Sequence, residues 1–310
     1  MTFKKAEESF LIHCQFEKKL SNKTIKAYTS DFKQFRKYLL EENLSSNIEE
    51  VSKETLRLYL KRISHFKTKT IKRKIATLKA LFNFLEFEDI LVSNPFRKLK
   101  IKIQDPRTLP EVMDAHEVKS IFMVAYSGVE DLQNQKIQYR TRTRDIAVLE
   151  LLFATGMRVS ELCNLKKDQI NLRSGAVTIK GKGGKHRLLH ICNKEAKDVL
   201  QKYSQLFKQE IDQSRYFFIN RLGSRLSTQS VRYMVKHYAQ KARLNRKITP
   251  HTFRHTFATL LLEEGVDITY IQQFLGHSSI STTQIYTHVN KAKQRQILRL
   301  KHPRNRFDLS

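Results

Sequence analysis

Cysteine is scarce in this chain, and its three copies, Cys14, Cys163 and Cys192, are an odd set without a CxxC pair. That excludes a disulfide framework and a zinc ribbon and leaves buried or half-buried thiols. Long apolar runs are missing too. No stretch of about 18 apolar residues occurs, and no polybasic segment borders a hydrophobic anchor, so no membrane contact is expected. Met1 to Phe16 alternates charges with single apolar residues and lacks the continuous hydrophobic region of a secretory signal, which points to the cytoplasm. Internal repeats and low-complexity segments are absent. There is no nucleotide-binding phosphate loop either: in Gly181-Lys182-Gly183-Gly184-Lys185 the glycine spacing is wrong, and His186 follows where Ser or Thr belongs. With no carboxylate cluster suited to magnesium, neither a nucleotide nor a metal ion is expected as cofactor.

Negative charge is the last shortage. Asp and Glu number 30 against 58 Lys and Arg, a formal net charge of +28 spread along the whole chain. The expected partner is a polyanion, and nucleic acid fits better than an anionic membrane. Between Lys61 and Lys79 the cations Lys61, Arg62, Lys67, Lys69, Lys72, Arg73, Lys74 and Lys79 occur with no acidic residue among them. A solvated helix face usually mixes signs, so phosphate contact is the expectation there, carried by Lys67, Lys69, Lys72, Arg73 and Lys74.

What is present is helical periodicity in two blocks. A length of 310 residues with 40% hydrophobic content suits two domains, each with its own core. Apolar residues recur at three- and four-residue spacing over Ala6 to Leu20, Lys23 to Leu40, Glu54 to Ile63 and Thr70 to Phe87, which predicts a small helical bundle over residues 1–94. Ser93-Asn94-Pro95 stops the last of these helices, and residues 95–110, with Pro106 and Pro110 among basic residues, read as a linker. Asp114 with Glu117 resembles a capping box and opens the second domain, residues 111–310. There Arg144 to Ala154 and Met157 to Leu165 read as helices. Ile170 to Leu172, Ala176 to Lys180 and Arg187 to Ile191 read as strands of a small antiparallel sheet. Further helices are expected over Lys194 to Lys208, Ser227 to Arg243, His251 to Glu264, Ile268 to Leu275, Ser281 to His288 and a basic tail from Asn290 to Leu300. Ser127 to Thr143 is polar and has no clear period. The fold class is mainly α with one small antiparallel β-sheet.

Six residues of the second domain are of types that phosphoryl transfer uses, although each has an ordinary structural reading on its own. Arg158 follows Gly156 at the head of a short helix, and Lys182 lies at the tip of the glycine-rich hairpin. His251 and Arg254 in His251-Thr252-Phe253-Arg254-His255 are one helical turn apart. The spacing of His251 and His255 also suits a metal pair, but the zinc-protease motif needs Glu where Thr252 stands. His277 follows Leu275-Gly276, and Tyr286 lies within Thr282 to His288. Taken in order, A-T-G-M-R-V-S-E-L, G-K-G-G-K, H-T-F-R-H, L-G-H-S-S-I and T-T-Q-I-Y-T-H resemble the catalytic set of the tyrosine recombinases, the lambda-integrase type, and most nearly the compact Xer-type members. The resemblance spans nearly the whole chain; Ser127 to Thr143 departs from it, being longer than the corresponding Xer loop.

The resemblance implies a two-domain DNA clamp with a SAM-like core-binding domain in front of a catalytic one. It makes Tyr286 the nucleophile, Arg158, Arg254 and His277 the ligands of the phosphate oxygens, and His251 the acceptor of the tyrosine proton. Lys182 becomes the acid for the leaving 5′-oxygen, and Glu161 the support of His251. Its further implications are a 3′-phosphotyrosyl intermediate, a Holliday junction and no metal. The partners it implies are duplex DNA with inverted-repeat half-sites, a tetramer on two sites built by exchange of C-terminal helices, and a second recombinase or accessory protein. The expected activity is Xer-like resolution of chromosome or plasmid dimers. A mobile-element integrase is the alternative within the class, and a type IB topoisomerase-like relaxing enzyme or a DNA-binding repressor the alternatives outside it.

Overall fold

Side-chain caps open most helices of the N-terminal half. The computed structural model describes residues 1–101, 103, 111–180, 186–276 and 291–303, with side chains in the last stretch from residue 296. It divides into two compact units, Met1–Thr108 and Leu109–Ser310. In the first, α1 (Phe3–Ile12), α2 (Asn22–Glu41) and α3 (Lys53–Arg62) begin at Thr2, Ser21 and Ser52, whose hydroxyls accept from the backbone N–H three residues on. The fourth helix, α4 (Thr68–Phe87), has no side-chain cap. Rings from all four meet in the core, where Phe3, Phe10, Phe32, Phe35, Tyr59 and Phe82 are essentially inaccessible to solvent. Each such side chain contributes about 1.5–3 kcal/mol through burial.

One expected surface cation lies inside this unit. Lys74 is 1% exposed; its Nζ donates to Asp31 Oδ1 at 3.1 Å and to Gln34. The Asp31 carboxylate is itself 1% exposed and also accepts from Arg73 and, at 2.9 Å, from Thr77 Oγ1. The assignment of Lys74 to phosphate contact is therefore corrected: its charge is neutralised internally. Arg73 shares the same carboxylate but keeps 44% of its side chain exposed, while Lys67 and Lys69 are exposed and Lys72 is half-buried.

The second unit is built around α6 (Lys136–Thr155), whose last ten residues are all buried. It begins within the segment that shows no apolar period, because its first turns are held by charge and rings. Arg140 donates to the Leu206 carbonyl at 2.6 Å and lies 4.2 Å over the Phe207 ring, and Thr143 is buried. Helix α5 (Ala115–Tyr126) starts at the expected Asp114–Glu117 capping box. After α6 come the short helix α7 (Val159–Asn164) and a three-stranded antiparallel sheet of β1 (Ile170–Asn171), β2 (Ala176–Lys180) and β3 (His186–His190), in that order. Register pairs Val177 with Leu189 and Ile179 with Arg187 on the inward face.

The remaining helices are α8 (Lys194–Leu206), α9 (Lys208–Ser214), α10 (Thr228–Lys241), α11 (Pro250–Glu263), α12 (Ile268–Leu275) and α13 (Lys291–Lys301). The single helix expected over Lys194 to Lys208 breaks at Phe207, which is buried beneath Arg140 and starts α9. The helix expected at Ser281 to His288 lies outside the described residues. Helix α13 packs on its own unit: Leu298 is 1% exposed in the core, and buried His302 lies 3.2 Å from the Ala154 carbonyl through Nε2. Among the described residues no helix is long and apolar enough to cross a membrane.

The Asp31 network generates a stability prediction. Asp31→Ala leaves the Lys74 ammonium buried without its counter-ion and is expected to cost about 3–5 kcal/mol. Asp31→Leu combined with Lys74→Met should recover most of that loss. Chemical denaturation of the full chain compares the two, and equal losses would show that packing, not the stranded charge, sets the cost.

Candidate active site

The site begins where α6 ends. Gly156 stops that helix in the left-handed conformation, φ 58° and ψ 18°, and its N–H bonds to the Leu152 carbonyl. A Cβ here would come within 2.5 Å of the Phe257 ring, so glycine is required by space as well as by backbone angle. The turned chain then presents Arg158 as the first residue of the capping pair of α7, with its own N–H donating to Glu161 Oε2 at 2.7 Å.

Three arginines converge on the far end of α12. Arg187 Nε donates to the Phe274 carbonyl at 3.0 Å, an Arg254 terminal nitrogen to the Leu275 carbonyl at 2.6 Å, and an Arg158 terminal nitrogen to the Gly276 carbonyl at 3.1 Å. The last carbonyls of a helix have no intrahelical partner and carry partial negative charge, so cations suit them. Arg254 also donates to the Gly156 carbonyl at 2.9 Å, which ties α11 back to the turn after α6. Among the described residues one carboxylate, that of Glu161, is hydrogen-bonded to these guanidinium groups. Glu161 accepts from Arg158 at 3.0 Å and from both terminal nitrogens of Arg187 at 2.9 and 2.7 Å.

Electrostatics follow from that imbalance. Burial, with Arg158 and Arg187 adding repulsion against the opposing pull of Glu161, pushes Arg254 down to about 10. Burial alone would raise the Glu161 carboxyl. The hydrogen bonds from Arg187 and from the Arg158 backbone outweigh it and hold the group below its usual range. The cluster therefore carries surplus positive charge, and an incoming phosphate oxygen would relieve it. Arg158 and Arg254 each spend two of a guanidinium's five N–H donors on the described acceptors, so both keep donors for such an oxygen.

His251 sits in the first turn of α11, which Thr249 and Thr252 open by a reciprocal cap with Pro250 at the first helical position. Its ring is exposed and stands 4.4 Å from that of His255, edge to face. Burial first, then His251 and Arg254, hold His255 below the usual histidine range, which keeps it neutral near pH 7. Arg158, His251 and Arg254 line one open cleft of about 1010 Å³, whose opposite wall includes Arg232, Tyr233 and Lys236 of α10. Among the described residues no group of three or more His, Cys, Asp or Glu side chains could hold a metal ion.

The structure thus brings together Arg158, His251, Arg254 and Glu161. Lys182, His277 and Tyr286 lie outside the described residues. Among the described residues Glu161 accepts four hydrogen bonds, two from Arg158 and two from Arg187, so it organises these two arginines. Sequence reasoning passed over Arg187, Arg232 and Lys236. The signal for Arg187 was its parity in β3, where it shares the inward face with buried Leu189.

A mainly helical molecule whose second unit gathers arginines and a histidine around an anion-ready cleft defines a phosphate-handling class. Within it, the chain belongs to the phage integrase family, the family of the tyrosine recombinases. It matches the Phage integrase family over residues 111–293 and the Phage integrase N-terminal SAM-like domain over residues 8–89. A tyrosine recombinase of Agathobacter rectalis is 44% identical over 300 residues, covering 96% of each chain. Tyrosine recombinase XerD of Staphylococcus epidermidis is 37% identical over 307 residues, 96% of this chain and 98% of the other. A lambda integrase tetramer bound to a Holliday junction shares the fold, with a TM-score of 0.69 at 18% identity over 91% of this chain and 79% of that one.

Gly156→Ala tests the turn. The substitution forces a Cβ onto Phe257 in a left-handed backbone and is expected to destabilise the second unit by roughly 1–3 kcal/mol. A thermal melt unchanged from the parent would show that the turn relaxes without strain.

Proposed function

We propose that this protein is a site-specific DNA recombinase that cuts and rejoins strands through Tyr286, and that its role is Xer-like resolution of chromosome or plasmid dimers. The observation that carries the reading is the convergence of Arg158 and Arg254 on one cleft with donors to spare, in a chain 44% identical to a tyrosine recombinase. The two guanidinium groups would bind the non-bridging oxygens of the scissile phosphate and stabilise the charge that grows in the pentavalent transition state. His277 would add a donor to the same oxygens. The Tyr286 oxygen forms the new bond to phosphorus while its proton passes to His251, which the exposed end of α11 presents to the cleft. The bond from phosphorus to the 5′-oxygen breaks, its electron pair leaves with that oxygen, and Lys182 supplies the proton. The resulting 3′-phosphotyrosyl ester conserves the bond, so a 5′-hydroxyl from a second duplex reverses the step without nucleotide hydrolysis.

The same reading gives duplex DNA as the partner, a tetramer on two sites, the cytoplasm as the compartment and no cofactor. Residues 1–94 would act as the core-binding domain and 95–110 as the linker. Lys67 and Lys69, exposed at the start of α4, are the cations of the basic segment best placed for phosphate, with Lys72 and Arg73 secondary to them. Exchange of C-terminal helices between protomers would first require α13 to leave its own unit.

The test uses a nicked suicide duplex carrying the inverted repeat that the full-length protein selects from a randomised oligonucleotide pool. Tyr286→Phe should bind this duplex normally and form no covalent adduct, since only the hydroxyl is removed; an adduct in that variant would overturn the assignment. In a separate titration, Lys67→Gln with Lys69→Gln should weaken binding and reduce the slope of log K against log salt by roughly 0.9 per lost contact. An unchanged slope would make this stretch an ordinary solvated face.

A further inference from the structure

Resting on that reading, we propose that Arg187 is a positioning residue for strand cleavage: it holds Glu161 and the end of α12 so that Arg158 and Arg254 meet the phosphate in one geometry. Arg187 leaves β3 on its inward face, opposite Ile179, and only 14% of its side chain is exposed. It does not line the cleft. Its three nitrogens are all engaged, one on the Phe274 carbonyl and two on the separate oxygens of Glu161. A lysine could neutralise Glu161 but could not make this three-point contact, because an ammonium lacks the planar fork.

The contact decides what Glu161 does to Arg158. A carboxylate free to turn would form a two-point fork with the neighbouring guanidinium and occupy donors that the phosphate needs. With Arg187 fastened to both oxygens, the side chain of Arg158 reaches Glu161 through one nitrogen only, at 3.0 Å. Its second terminal nitrogen is turned to the Gly276 carbonyl, the third acceptor of a run whose first member Arg187 already holds. Space enforces the same register: a Cβ on Gly276 would lie 3.0 Å from a terminal nitrogen of Arg187 and 3.2 Å from its Cδ and Cζ. Removing Arg187 therefore frees the carboxylate and the helix end together, and both errors reach the phosphate ligands.

The experiment measures single-turnover cleavage of the suicide duplex at saturating full-length protein, alongside half-site affinity and thermal melting. Arg187→Ala should slow cleavage roughly 10- to 100-fold, the usual cost of losing a group that orients a ligand of the reacting centre. Affinity should stay within about threefold, because phosphate contacts elsewhere dominate binding. Arg187→Lys, which keeps the charge and most of the volume, should fold as the parent does and still cleave more slowly than it. The combination of Arg187→Ala with Glu161→Ala should be no slower than the slower single variant, since the pair acts as one unit. Parent-like cleavage by Arg187→Lys and Arg187→Ala, or losses that multiply in the double variant, would overturn the proposal. An unsubstituted protein that forms no adduct with any selected duplex would instead sink the recombinase reading on which it rests.

Discussion

The end of α12 is the point on which the active site depends. Three consecutive carbonyls there, of Phe274, Leu275 and Gly276, each take a hydrogen bond from a different arginine. Those arginines come from β3, α11 and the head of α7, so one helix terminus fixes elements far apart in sequence. Any helix leaves its last carbonyls unpaired, and here the fold satisfies them with guanidinium groups instead of water. Arg187 has all three of its nitrogens engaged, whereas Arg158 and Arg254 use only part of their forks and retain the donors that an anion would need.

Balance of charge explains why the cluster is poised. Three guanidinium groups surround one carboxylate, and burial makes the surplus costly for Arg254 in particular. The arrangement leaves surplus positive charge beside an open cleft of about 1010 Å³. Preorganised donors of this kind act without reorganising when charge develops, which is how a site handles phosphate chemistry with side chains alone.

Much of the fold was legible because local signals agreed. The capping box at Asp114 and the strands β2 and β3 fall where the pattern puts them. Arg158, His251 and Arg254 were singled out by resemblance to the tyrosine recombinases, and the structure places all three on one cleft. What escaped has a common cause: charged side chains that turn inward. Lys74 belongs to a basic run in which Lys67, Lys69, Arg73 and Lys79 are exposed, and nothing local says that Asp31, 43 positions earlier in sequence, will neutralise it. The first turns of α6 are polar because Arg140 pairs and stacks instead of facing solvent. The pairing of Arg187 with Glu161 depends on a contact between β3 and α7 that periodicity does not encode.

The Phe257 ring joins two places that the chain separates widely. One side fills the space that a Cβ on Gly156 would take, and its ring centroid lies 5.7 Å from that of His302 just past α13. His302 in turn approaches the carbonyl of Ala154, two residues before that glycine. Positions 156, 257 and 302 therefore share one fixed volume. A bulkier group at 302 would press the ring toward a turn that has no room to yield, so evolutionary change at any of the three is constrained by the other two, and the tail helix inherits the packing limits of the turn at Gly156.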